Sequence, residues 1–359
     1  MFFLDAYEKG PRCIYEPFAG YLHLFPRTVA WIAMAADPVW IPGIYNLFAL
    51  ILALTVVAAL FSPRIDLPAK PFLALALVLA PHTGEVLVNL TNSQWHLAVA
   101  LVLVLIARDP ATVAQCLADG IAIILGGLTG PFVVFLAPLF VVRAVGRRTL
   151  SSTLLALAVV AFAGVQLSNL LHEQAAFVRP GPVDLKLLGS VMSSRLYGTF
   201  WGGYGGGIFA TTGAWIALGV GVTAVGAYLA FRPGPYAESR RLIAGAWVCL
   251  VVPVGLKFCR EAAVLTSPRN GDRYFYLPHV FLAWLIVVER ARTTGWRRRL
   301  ALAALIAALT ANLKTLRVPP LTDYAWSQHV QPIREGKAFV IPINPDGWTI
   351  VSGGKNSRR

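Results

Sequence analysis

The sequence predicts an all-α polytopic membrane protein. Of its 359 residues, 57% are hydrophobic and only 13% are charged, where a soluble domain carries about 25% charged residues. The mean hydropathy is +0.65. The apolar residues are gathered into long runs, and the runs are separated by short loops rich in Lys and Arg. Strands of alternating polarity, the mark of an outer-membrane barrel, are absent from the pattern. The net charge of +14 comes largely from the short loops, where membrane topology places cations. It therefore does not indicate nucleic acid as a partner.

Taken in order, residues 1–41 form an outer first loop with interfacial helices, opening MFFLDAYEKGPRCIYEPFAGYLHLFPR. A transmembrane bundle follows over 42–315, with apolar segments at 42–62, 71–90, 92–107, 110–126, 130–143, 150–170, 208–231, 241–258, 277–292 and 298–315. Segment 130–143 would rise only about 20 Å as a helix, less than the roughly 30 Å hydrocarbon core. It is joined to 110–126 by GGLTGP, where Gly126, Gly127, Gly130 and Pro131 break the helix. Broken backbone at membrane depth persists only under a cover of protein or beside a wet cavity. The expectation is a helical hairpin packed inside the bundle, its tip near the outer surface. Residues 316–359 form an outer tail. Within it, KAFVIPINPDGWTIV reads as two short strands around Asn344-Pro345-Asp346-Gly347, with Pro342 marking an edge strand.

Orientation follows from the cations. Arg64, Lys70, Arg108, Arg143, Arg147, Arg148, Arg232, Arg240, Arg241, Arg290, Arg292, Arg297, Arg298 and Arg299 all fall on one side of these segments, and that side is cytoplasmic. The opening stretch, 82–95, the long loop 171–207, loop 259–276 and the tail then lie outside. A charged opening does not readily cross a membrane unaided, so the expectation is that a further transmembrane helix precedes Met1. The four cysteines show no CxxC and no metal spacing. Cys116 and Cys249 lie in apolar runs, and no disulfide is expected between Cys13 and Cys259.

The outer loops are polar, aromatic and acidic, which places function at the outer face. The candidates for acid or base work there are Asp5, Glu8, Glu16, Glu85, Glu173, Asp184, Glu261 and Asp272. HExxH, GxSxG and His/Cys clusters are missing. Loop 259–279, CREAAVLTSPRNGDRYFYLPH, sets Arg260, Arg269 and Arg273 beside Tyr274, Phe275 and Tyr276. Guanidinium forks match phosphate oxygens, and Tyr suits an interface. The loop reads either as a phosphate clamp, with Arg273 its best single residue, or as an ordinary interfacial loop with Arg–Asp pairing. Loop 82–96, HTGEVLVNLTNSQWH, collects Glu85, Asn89, Asn92, Gln94, Trp95 and His96. Amides suit sugar hydroxyls and Trp suits an apolar sugar face. The bland alternative is helix capping plus an aromatic-belt residue. WGGYGGG, residues 201–207, reads as a hinge or a lid.

The order of these pieces resembles the GT-C superfamily of integral-membrane glycosyltransferases, in particular bacterial members that use a polyprenyl-phosphate sugar. The resemblance rests on DAYEKG and YEPFAGYLHLFPR in the outer first loop, NLTNSQWHLA, GLTGPFVVFLAPLF, GDRYFYLP and the tail's PINPDGW. It implies a GT-C-like helical bundle with outer loops and a short outer β-hairpin tail. It further implies a bacterial inner-membrane location with the active site facing the periplasm. The family places a catalytic Asp or Glu in the first outer loop, soon after a first transmembrane helix, and that acidic pair commonly precedes a stretch like FFLDAYEKG. Within this chain Asp5 is the nearest match, followed by Glu8 and Glu16. The implied reaction is inverting transfer of a hexosyl or pentosyl group from a polyprenyl-phosphate donor to a glycan or lipid acceptor of the cell envelope. Arg273 and Arg260, with Tyr274, would face the phosphate; Glu85, Asn92, Gln94, Trp95 and His96 would face sugar. Some relatives use a divalent metal, although no ligand set in the sequence demands one. Two other readings stand beside this. A lipid-linked oligosaccharide ligase or polymerase would rely on Arg and His in a large outer loop, and 171–207 holds His172, Arg179, Lys186 and Arg195. A lipid or glycan transporter would show inverted repeats and mid-membrane charges, which the spans largely lack.

Overall fold

The structure, a computed structural model, describes residues 2–82, 84–174, 182–204, 213–267, 270–316 and 320–354. The chain is predominantly helical, with one small sheet. In chain order the helices are α1 (Phe2–Lys9), α2 (Leu24–Ala33), α3 (Ile41–Leu60), α4 (Lys70–Leu79), α5 (Ser93–Ile106), α6 (Val113–Gly127), α7 (Phe132–Arg147) and α8 (Leu150–Gln174). There follow α9 (Leu185–Ser193), α10 (Thr199–Gly202), α11 (Gly213–Phe231), α12 (Ala237–Phe258), α13 (Arg273–Arg292), α14 (Gly295–Asn312) and α15 (Val330–Arg334). The tail ends in an antiparallel hairpin of β1 (Phe339–Ile343) and β2 (Trp348–Ser352).

Among the described residues four stretches are long and apolar enough to cross a membrane: Pro38–Leu60, Leu150–Glu173, Gly213–Phe231 and Ala237–Phe258. They coincide with α3, α8, α11 and α12. Each leaves large aliphatic side chains exposed, among them Leu54, Leu157, Val220 and Leu256, as a lipid-facing surface requires. The bilayer-like environment is thus carried by both length and surface.

Packed among the long helices are shorter ones. Segment 71–90 was expected to be apolar throughout, yet α4 stops at Leu79 after 10 residues, a rise of about 15 Å. The cause is Pro81, which disfavours helical backbone at the residue before it. Ala80 is extended at φ −57°, ψ 140°. α13 compensates the shortened end. Tyr276 donates its hydroxyl to the Leu77 carbonyl at 2.6 Å, and Trp284 Nε1 donates to the Leu73 carbonyl at 2.9 Å. Both side chains are fully buried, which makes α13 the central helix of the main core.

At GGLTGP the chain breaks between α6 and α7, which pack on α5 and α8 more than on each other; Leu117, Ile121, Val142 and Val145 are exposed rather than enclosed in the bundle as expected. α6 and α7 have 15 and 16 residues, so each rises only about 22–24 Å. Gly126 and Gly127 close the packing: a Cβ on either would stand 2.8 Å from Leu101 of α5 or Phe162 of α8. Several cations expected in the short loops are paired. Arg64 forks onto Asp119 of α6 at 2.8 and 2.6 Å, and Arg143 and Arg147 meet Asp109.

Two further boundaries differ from expectation. Residues 185–202, expected to lie in a long outer loop, form α9, a π-helical turn at Ser194–Gly198 and α10. Their polar residues hide the helical pattern because several of them, including Ser190, Ser194, Arg195 and Thr199, are buried rather than solvated. Helix α13 begins at Arg273 rather than near residue 277, so Arg273 and Tyr274 sit in its first turn.

The tail returns to the opening stretch. Phe339, Ile341 and Ile350 pack with Phe3, Tyr7 and Ile41. Arg334 forks onto Asp37 at 2.8 and 3.0 Å, and Trp326 Nε1 donates to the Pro38 carbonyl at 2.8 Å.

Candidate functional site

A cavity is lined by loop 82–92, by Pro131 and Phe132 at the break between α6 and α7, by Leu170 and Glu173 of α8, and by the C-terminal end of α12. The opening stretch dips into it. Leu24 N donates to the Leu128 carbonyl and Gly130 N donates to the Leu22 carbonyl, each at 2.9 Å. Gln166 of α8 receives Leu22 N at 2.8 Å. The resulting cavity holds about 2390 Å³, well beyond the several hundred Å³ of a small-molecule pocket.

Much of its polar wall comes from the opening stretch, loop 82–95, the segment 257–261 and the turn entering α13, with the tail hairpin, α7, α8 and α14 also contributing. Asp5 lines it. Its carboxylate meets Arg27 Nη1 at 3.0 Å and Lys9 Nζ at 3.2 Å. Arg27 is 1% exposed and stacks over the Phe2 ring, so the pair fixes where the Asp5 oxygens point. Glu8 and Glu16 stand outside the lining. Glu8 receives Ser352 Oγ from the tail at 3.0 Å, and Glu16 pairs with Lys9. Of the three first-loop acids, the structure brings one to the cavity.

At the start of α13, Arg273 Nη1 donates to Glu85 Oε2 at 3.0 Å. Both side chains are more than a third exposed. Such a pair is worth at most about 1 kcal/mol and yields readily to a stronger anion. The Arg273 guanidinium also lies 5.3 Å from the Tyr274 ring centroid, and Lys257 donates to the Tyr274 hydroxyl. Lys257, Arg260, Arg273 and Tyr274 therefore form one basic, aromatic wall. The Arg–Asp pairing considered for this loop exists on another residue. Asp272 accepts from Arg195, which is fully buried and also donates to the carbonyls of Ser267 and Asn270. That network holds the turn from which Arg273 projects. It also removes Arg195 from the candidate ligands. Arg269 and the glycines 205–207 of the aromatic-glycine stretch lie outside the described residues.

Loop 82–96 divides. Glu85, Asn92, Gln94 and Trp95 line the cavity. Asn92 Nδ2 donates to the Glu85 carbonyl at 2.8 Å, so Asn92 shapes the loop as well as facing the cavity. Trp95 is only 3% exposed, with Phe132 at 4.8 Å and Tyr274 at 5.9 Å. It offers an edge rather than an open face. His96 is buried and not part of the lining; its ring lies 6.3 Å from Tyr276.

Sequence reasoning missed several wall residues. Trp348 on β2 lines the cavity at 64% exposure and carries the open aromatic face. Tyr21 and His23 come from the opening stretch. Burial pushes the Tyr21 hydroxyl up to about 12. Burial, helped by Arg27, pushes His23 down to about 4, so its imidazole is neutral near pH 7. Lys257 escaped notice because it ends an apolar run. Among the described residues no three His, Cys, Asp or Glu side chains come together to hold a metal ion.

No protein-family model matches this chain, and no curated protein and no solved structure matches it.

Proposed function

We propose that the chain is a polytopic membrane glycosyltransferase of GT-C type, with the large cavity as its active site at the outer face of a bacterial inner membrane. On this reading the short, arginine-rich loops lie in the cytoplasm. A sugar passes from a polyprenyl-phosphate donor to a hydroxyl of an envelope glycan or lipid. One observation carries the reading: a single cavity of about 2390 Å³ is lined both by the carboxylate of Asp5 and by Lys257, Arg260, Arg273 and Tyr274. Such a lining offers a carboxylate to take a proton and cations to meet a departing anion.

In the reaction the acceptor oxygen attacks the anomeric carbon and its proton passes to a carboxylate. The bond from the anomeric carbon to the phosphate oxygen breaks, and polyprenyl phosphate departs with the electron pair. Asp5 is the first-loop acid placed to receive the proton. Arg273 exchanges its weak bond to Glu85 for the departing phosphate, whose charge grows in the transition state. Trp348 and the amides of Asn92 and Gln94 suit a sugar.

The test is direct. Purified full-length chain in bilayer nanodiscs is given labelled polyprenyl-phosphate hexoses and pentoses with an envelope extract as acceptor. Transfer of label, lost in Asp5→Asn, supports the reading. Movement of intact donor across the bilayer without transfer would replace it with the transporter.

A further inference from the structure

The opposite end of the same helices carries a second, smaller depression of about 350 Å³, lined by Arg232, Pro233, Arg292, Thr293, Thr294, Trp296 and Arg297. Its position is fixed by α13 and α14. The first turn of α13 and the last turn of α14 line the large cavity, while the last residue of α13 and the first turn of α14 line this one. Twenty residues of α13 rise about 30 Å, the thickness of a hydrocarbon core. The depression therefore lies at the other membrane boundary, at headgroup level.

Its charges are poorly balanced. Glu289 pairs with Arg292, and Glu238 is engaged by Arg147. Among the described residues no carboxylate pairs with Arg232 or Arg297. Arg240, just behind, is spent on the backbone: it donates to the carbonyls of Leu229 and Arg232 and so caps the end of α11.

The helix that enters here makes the imbalance worse. α14 is 18 residues long, its N-cap Thr294 makes no side-chain capping bond, and its first turn holds no acid. The sequence there is GWRRR. Backbone N–H groups without partners and the positive end of the helix dipole favour an anion, and cations in that turn are unfavourable. A local choice that contradicts helix electrostatics is expected where a ligand supplies the missing charge. Trp296, 68% exposed with Arg297 at 5.5 Å from its ring centroid, is an interfacial anchor beside the depression.

We propose that this depression binds the phosphate headgroup of an anionic membrane phospholipid. Arg232, Arg292 and Arg297 face the phosphate oxygens, the first-turn N–H groups of α14 complete the cradle, and Trp296 packs at the level of the glycerol. The site is independent of any chemistry in the large cavity.

The test uses the full chain in neutral detergent, with thermal unfolding followed by tryptophan fluorescence. Added phosphatidylglycerol is expected to raise the midpoint saturably, and phosphatidylcholine is not. Arg232→Gln with Arg297→Gln is expected to weaken apparent lipid affinity about tenfold or more, the usual value of a charge-assisted hydrogen bond to the phosphate. Arg298→Gln with Arg299→Gln removes as much charge outside the depression, where it makes no direct bond to the phosphate and is screened by salt, and is expected to change affinity less than about twofold. Arg297→Gln alone, a partly exposed side chain without a carboxylate partner, serves if the double variant does not fold. Equal losses in the two double variants would mean diffuse surface charge and overturn the site. A saturable shift with soluble glycerol phosphate equal to that with phosphatidylglycerol would overturn the lipid.

Discussion

Arg273 Nη1 sits 3.0 Å from Glu85 Oε2, across 188 residues of sequence. The pair joins the two loops that the sequence offers as a phosphate side and a sugar side. Arg273→Ala should leave folding intact, since the side chain is exposed. It should lower transfer from a polyprenyl-phosphate donor roughly ten- to a hundredfold, the value of one charge-assisted hydrogen bond of about 1.5–3 kcal/mol. Arg273→Lys should recover only part, because a point charge cannot replace a planar fork. Normal turnover by a folded Arg273→Ala protein would remove Arg273 from the site.

The opening stretch and the tail should share one side of the membrane. In a cysteine-free background, Tyr15→Cys and Val340→Cys should react with an impermeant maleimide added from outside, and Arg298→Cys should be protected. The first two positions are exposed, so their labelling reports sidedness rather than burial. Opposite labelling of residues 15 and 340 would contradict the packing of tail on opening stretch.

Gly130 should not tolerate a side chain. It adopts φ +85°, and a Cβ there would stand 2.4 Å from Gln94 Oε1. Gly130→Ala is expected to cost about 1–3 kcal/mol from backbone strain and overpacking together, read as a lowered unfolding midpoint. Adding Gln94→Ala should return the overpacking share but not the strain. A Gly130→Ala protein as stable as the parent would show that the tip is not held as described.

Stability should depend on pH through His23. Its folded pKa, about 4, lies below the ordinary value of 6.5. Between those values the unfolded chain binds a proton that the folded chain does not. The contribution is therefore full above about pH 6.5 and is lost as pH falls toward about 4, by up to roughly 3 kcal/mol. His23→Asn should flatten that part of the stability profile. An unchanged slope would assign the acid sensitivity to other groups.

Part of this molecule was legible before folding. The aliphatic runs identified the apolar helices, because hydropathy summed over a window reports removal from water whether the cover is lipid or protein. Gly130 and Pro131 marked the break between α6 and α7, and Asn344 to Gly347 the tail turn, because backbone constraints are local. Pro81 was equally local, and its consequence for α4 was readable but outweighed by the apolar residues around it. The buried helix at 185–202 was not readable, because Arg195 has the composition of a loop residue and only its partners Ser267, Asn270 and Asp272 make burial tolerable.

By itself, then, the sequence determined the helical, membrane-type character of the chain and the places where backbone must turn. Only the tertiary structure decided that Asp5 faces the cavity on Arg27 while Glu8 and Glu16 turn elsewhere, that Arg273 meets Glu85, and that Trp348 rather than Trp95 shows an open face. The reason is physical. Apolar side chains that meet lipid and those that meet another helix are chemically alike, so their pattern carries little about which helices adjoin. The contacts that define a site span those helices and exist only once they pack.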